Sequence, residues 1–198
     1  MMHYQTIDRV GQAEYKDRGS RFLAIAFPIA SIDDFKLKLD ELKKEHPKAV
    51  HHCFAYRLGT DGNTFRANDD GEPSGSAGKP ILGQIDSKGL TNLGVIVIRY
   101  FGGTLLGVPG LINAYKTSTA LALQLVPLIQ KPILVQYQLE FDYLSMHEVM
   151  RIIKKYDGEV LQSENQLFMV LKLGIPKEKE MIFCSQISEL REIFFKKI

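Results

Sequence analysis

Val95-Ile96-Val97-Ile98-Arg99-Tyr100-Phe101-Gly102-Gly103-Thr104-Leu105-Leu106-Gly107-Val108-Pro109-Gly110-Leu111-Ile112-Asn113-Ala114-Tyr115 reads as a strand, a glycine break and a helix. Four β-branched residues with no charge before Arg99 favour a strand that is apolar on both faces, hence central in its sheet. Gly102-Gly103 ends it. Pro109 suits a position close to a helix start, and Leu111, Ala114, Tyr115, Ala122, Leu123 and their apolar neighbours predict a largely buried helix to about Val126. Glycines extend the pattern toward the N-terminus, since 12 of the 16 in the chain fall between Gly59 and Gly110. Glycine is favoured where φ is positive or where another group approaches the main chain, so this region is read as a surface built from backbone.

On the N-terminal side of that strand, Asp69-Asp70-Gly71-Glu72-Pro73-Ser74-Gly75-Ser76-Ala77-Gly78-Lys79-Pro80 is a loop, followed by a helix over 81–86 that stops at Gly89. Residues 10–18 and 20–30 form a hairpin around Asp17-Arg18-Gly19. Ser31 is placed as an N-cap with Asp33 and Asp34 in the first turn, and Phe35, Leu37, Leu39 and Leu42 make the helix amphipathic until Pro47. Strand character returns over 49–58, and Asp61-Gly62 is a turn before a short segment at 64–66. Pro127 and Lys131-Pro132 punctuate the chain and set the domain boundary, giving domains at 1–130 and 133–198. The second reads as strand 133–143, helix 145–156, strands 159–162 and 167–173 around turns at Asp157-Gly158 and Glu164-Asn165, then a helix from Pro176 to about Phe194. That order matches a ferredoxin-like split β-α-β unit whose last strand is short or missing, with Phe194 and Phe195 packed under the final helix.

With 198 residues, 45% hydrophobic and 24% charged, the composition is that of a globular α+β protein. The formal charge of +2 splits as 16 Lys/Arg against 13 Asp/Glu over residues 1–132 and 9 against 10 over 133–198. This falls short of the basic footprint of a dedicated nucleic-acid binder. Cys53 and Cys184 are far apart in sequence with no CxxC, which indicates neither a disulfide framework nor a structural metal. No apolar run reaches about 18 residues and the first residues lack a signal-peptide pattern, so the expectation is a cytoplasmic protein without a membrane segment.

Several chemistries compete for the glycine-rich region. Gly78-Lys79 has Pro73 and Pro80 where a P-loop needs Gly and Ser/Thr, and Gly102-Gly103 lacks the GxGxxG spacing of a dinucleotide fold. Asp69, Asp70 and Glu72 are three acids within four residues, which suit either a turn whose acids cap amides or a hard cation. His51 and His52 alternate across a strand and so cannot share a metal. Arg99-Tyr100 followed by Gly-Gly and a helix start can offer amides, a guanidinium and a ring to an anion, or can simply permit close strand–helix packing.

The chain resembles the IMPACT/YigZ family. The resemblance rests on Ser20-Arg21-Phe22, His51-His52-Cys53-Phe54-Ala55-Tyr56-Arg57, residues 69–78, Arg99-Tyr100-Phe101-Gly102-Gly103 and the Gly107, Gly110-Leu111, Ala114-Tyr115 frame. It implies a first domain like the second domain of ribosomal protein S-five and a second like the ferredoxin-like fifth domain of elongation factor G. It also implies a role beside translation, since the eukaryotic members are translation regulators that act through a protein partner. Where the family often has Lys, Gly and Arg, this chain has Leu105, Pro109 and Asn113, and the loss of two cations lowers the expected phosphate affinity. The expected function is a binding protein that contacts RNA, the ribosome or a translation factor, with no cofactor. Its expected site is His51, Tyr56, Arg57, Asp69, Asp70, Glu72, Ser74, Gly75, Arg99, Tyr100, Gly102, Gly103 and Tyr115. Arg57 and Arg99 supply charge, the tyrosines stack or pack, the glycines admit the ligand and the acids cap amides. Two alternatives stand beside it: a Mg²⁺-dependent enzyme acting on a phosphorylated small molecule with His51 as base, and a pure protein-interaction module.

Overall fold

Chain direction reverses at Arg18 and Gly19, whose φ values of 44° and 80° are those a two-residue hairpin turn requires. The computed structural model describes residues 2–165, 167–190 and 192–198. These fall into two units, Tyr4–Lys131 and Pro132–Ile198 with the short stretch before Tyr4.

The first unit is built from β1 (His3–Ile7), β2 (Gly11–Asp17), β3 (Ser20–Pro28), α1 (Ile32–Glu45), β4 (His51–Leu58), β5 (Thr64–Asn68), α2 (Gly78–Ser87), β6 (Leu93–Tyr100), α3 (Gly107–Gln124) and β7 (Leu128–Pro132). Five strands form one antiparallel sheet in the order β2-β3-β6-β4-β5. β6 is central, as its run of β-branched residues demands. Alternation sends Val95 and Val97 to one face with Ala24, Cys53 and Ala55, where Ile81, Ile85, Leu111, Ala114, Tyr115 and Leu123 of α2 and α3 cover them. The small side chains on that face let two helices lie close to the sheet. Ile96 and Ile98 face the other way with Ile25, Phe27, Phe54 and Tyr56, beneath Phe35 and Leu42 of α1. Ser31 caps α1 in a capping box with Asp34. β1 and β7 make a separate two-stranded sheet that the sequence pattern did not disclose.

The second unit runs β8 (Leu134–Phe141), α4 (Met146–Lys155), β9 (Glu159–Asn165), β10 (Met169–Pro176), α5 (Glu180–Ser188) and β11 (Phe194–Lys197). Its antiparallel sheet has the order β11-β8-β10-β9, which is the strand order of a ferredoxin-like split β-α-β arrangement. Val135, Tyr137, Leu139, Leu171, Leu173 and Ile175 pack there against Val149, Ile152, Ile153, Phe183 and Ile187. The last strand is short, with residues 194–197 paired to β8. Two expectations are corrected. The final helix ends at Ser188 and not near Phe194, so Phe195 rests on the core from a strand and Phe194 is exposed. Glu164-Asn165 is not a turn, because β9 continues through Asn165. Among the described residues no helix is long and apolar enough to cross a membrane.

Candidate functional site

The C-terminal end of β6 and the N-terminal end of β4 lie side by side, with His51 paired to Arg99 and Cys53 to Val97. Phe22 of β3 pairs with Arg99 from the other side. On the face covered by α2 and α3, this brings His51, Cys53, Arg99 and Phe22 together beneath the loop 69–77. Glu72 descends from that loop and is buried. Its Oε1 accepts from Arg99 Nη1 at 2.6 Å and from the Tyr115 hydroxyl at 2.7 Å. Its Oε2 lies 3.9 Å from His51 Nε2. The Arg99 guanidinium also lies over the rings of Phe22 and Phe101, at 5.4 and 5.7 Å from their centroids.

The other two acids hold the loop in shape. Asp69 accepts from the Gly75 amide at 2.8 Å, and from the Ala77 and Gly78 amides at the start of α2 at 3.0 and 2.8 Å. Burial pushes the Asp69 carboxyl up, but these three amide donors outweigh it and hold its pKa below the usual value. Asp70 accepts from the His52 amide at 2.6 Å, and its own carbonyl oxygen lies 2.7 Å from His51 Nδ1. A carbonyl oxygen only accepts, so Nδ1 carries the proton and Nε2 faces Glu72. Gly75 sits at φ 75° with open space around it. Ser74 is exposed.

Cys53 is not placed to act as a nucleophile. Burial pushes the Cys53 thiol well up, its Sγ lies 3.0 Å from the Asp69 carbonyl oxygen and 3.2 Å from the Tyr115 hydroxyl, and the side chain is fully enclosed. Tyr115 is also fully buried, edge-on to Phe22 at 5.2 Å, and burial raises its pKa. It packs and donates a hydrogen bond; it presents no face to a ligand. Among the described residues, no group of three or more His, Cys, Asp or Glu side chains is placed to hold a metal ion.

The remaining expected site residues are dispersed. Arg57 is on the α2 face but binds Asp86 at 2.8 Å and the Gly62 carbonyl at 2.8 Å. Tyr56 is buried on the opposite face, 4.8 Å from the Phe35 ring. Tyr100 is on that face too, where its hydroxyl meets His46 Nδ1 at 2.7 Å. The Gly102 amide donates to Ser20 Oγ at 3.1 Å, and a Cβ on Gly102 would stand 1.9 Å from the Gly19 carbonyl carbon. Gly103 has φ 86° and open space. Arg57 and Arg99 were expected to offer charge to a ligand; each is instead bound to a carboxylate of this chain, because both lie where a sheet position meets a loop or helix acid.

What sequence reasoning missed is the rim. Phe101, Leu105, Val108 and Ile112 are exposed on the loop after β6 and the first turns of α3, and Leu105 is 81% exposed. The signal was available: no charged residue occurs between Arg99 and Lys116, nor from Pro73 to Gly78.

The model of the Impact N-terminal domain matches residues 18–123, more than half of the chain. The chain belongs to the IMPACT family. Among its family relatives, IMPACT family member YigZ of Escherichia coli (strain K12) is 32% identical over 172 residues, covering 86% of this chain and 84% of YigZ. The Protein IMPACT homolog of Saccharomyces cerevisiae is 38% identical over 96 residues, 46% of this chain and 36% of its own length. A crystal structure described only as that of a hypothetical protein aligns over 100% of this chain and 98% of its own, with a TM-score of 0.81 and 28% identity.

Proposed function

We propose that this IMPACT family member is a cytoplasmic, translation-associated binding protein whose uncharged glycine-rich face docks on a protein of the translation apparatus. A role in translation is the family-level part of this reading; it is what the resemblance to the eukaryotic IMPACT proteins implies, and these match just under half of this chain. The observation that carries the finer part is the closed Glu72–Arg99 pair beneath the loop. With the guanidinium buried and neutralised, residues 73–78 and 100–115 above it bring no charged side chain, and Phe101, Leu105, Val108 and Ile112 are exposed there. Such a face suits a protein surface, where exposed apolar groups gain about 25 cal/mol per Å² removed from water. It suits a phosphate backbone poorly, since polyanion binding draws on free cations. The bound acids and the enclosed thiol likewise support binding over catalysis.

Co-sedimentation with purified ribosomes and with ribosomal RNA alone, at low and moderate salt, tests the reading. Leu105→Glu changes an exposed side chain and leaves the core intact. The expected result is ribosome binding that survives moderate salt and is lost in Leu105→Glu. Binding to RNA alone that falls steeply with salt and ignores Leu105→Glu would overturn it.

A further inference from the structure

On the sheet face opposite the glycine-rich loop, α1 and the β4–β5 hairpin enclose a cleft of about 250 Å³. Its wall is apolar and aromatic, made by Leu39, Phe54 and Tyr56, and its rim carries Lys36, Lys43 and Arg66. Among the described residues lining it Asp70 is the one acid, and its carboxylate accepts from the His52 amide at 2.6 Å. Lys36 is shared with Asp33 in an exposed pair. Lys43 and Arg66 have no ion-pair partner among the described residues, and Arg66 lies over the Phe54 ring at 5.9 Å. Asn68 also lines the cleft; its side-chain oxygen accepts from the Asp70 amide at 2.8 Å, which leaves its NH₂ group free to donate.

We propose that this cleft binds a nucleotide, with the phosphate among Lys36, Lys43 and Arg66 and the base against Leu39, Phe54 and Tyr56. The reasoning is one of complementarity. Lys36, Lys43 and Arg66 place positive charge around one small opening, and Lys43 and Arg66 have no ion-pair partner among the described residues. An apolar, aromatic wall beside them adds nothing for inorganic phosphate but covers the face of a base, while the Asn68 amide can donate to a ring acceptor. The volume lies just below the range typical of drug-sized ligand sites, about 300–1,000 Å³, so the cleft suits one small ligand. That nucleotide is either free or the terminal residue of an RNA strand. Asp70 belongs to the loop and also lines the cleft, but Lys36, Lys43 and Arg66 and the Leu39, Phe54 and Tyr56 wall take no part in the glycine-rich face, so the cleft stands whether or not that face docks on a protein.

Calorimetric titration with AMP, adenosine, inorganic phosphate and a 5′-phosphorylated hexaribonucleotide, on the full chain and on Lys43→Gln/Arg66→Gln, tests it. Both substitutions are at exposed positions, and thermal melts of the variant check its fold. AMP binding that exceeds that of phosphate and of adenosine, and weakens about tenfold or more in the variant, supports a free-nucleotide site. Binding of the hexanucleotide alone, weakened equally in the variant, supports the same site with a strand end as its source. Phosphate that binds as tightly as AMP overturns the proposal, because the aromatic wall then plays no part. So does an absence of binding by every probe, or binding that the variant leaves unchanged.

Discussion

Glu72 and Arg99 form a charge pair in the interior, and its energetics are asymmetric. Removing one partner of such a pair strands the other charge and costs about 3–5 kcal/mol, whereas replacing both by apolar side chains is often neutral. Glu72→Leu and Arg99→Met are each expected to lower the unfolding free energy by about that amount in urea titrations, and the double variant to regain most of the loss. If the double variant loses the sum of the two, the side chains are not coupled and the pair is not what holds the loop. Arg99 substitutions are for the same reason poor probes of ligand binding, since a lost interaction would be confounded with a loosened fold. The pairing was not legible in the sequence. Positions 72 and 99 are 27 residues apart, and nothing in either local pattern says that an acid from a loop will fall into the end of a sheet.

At the scale of elements, the junction from β6 to α3 separates two uses of glycine. Gly102 is required by space, as its missing Cβ would collide with the hairpin turn at Gly19. Gly103 is required only by its left-handed backbone. Gly103→Ala is expected to cost about 1–2 kcal/mol, the usual strain of an L-residue there. Gly102→Ala is expected to cost clearly more, because main chain must move on both sides; comparison of the two denaturation midpoints checks the order. The strand, the break and the helix were all readable from residues 95–126, because β-branched runs, paired glycines and an apolar helical stretch are local signals. The hairpin at Arg18-Gly19 and the capping of α1 by Ser31 were readable for the same reason. β1, β7 and β11 were not, since each is short and exists only through its partner in the ladder.

For the whole molecule, pH exposes a buried histidine. Burial, with Lys43 and His46 adding to it against the opposing pull of Asp70, lowers the His52 pKa from its ordinary 6.5. Folded His52 therefore binds its proton less readily than the unfolded chain does, so just below pH 6.5 the unfolded state holds more protons and stability rises with pH. The thermal midpoint is expected to drop as pH is taken from about 7 to about 5.5, and His52→Gln to flatten that segment of the curve. An identical slope in the variant would assign it elsewhere. Asp34 and Asp69, whose pKa values are lowered from 3.8 by backbone and hydroxyl donors, act in a different window. Their contribution is present above that value and is lost as pH falls through the lower folded one. The sequence by itself determined the central strand, the glycine-rich loops, the change of pattern near Pro132 and the membership of the family, because each is written in neighbouring residues. Only the tertiary structure decided which charges are available. Ion pairs and burial are set by residues distant in sequence, and these bind Arg99 to Glu72 and Arg57 to Asp86 while leaving Lys43 and Arg66 to face the cleft on the other side of the sheet.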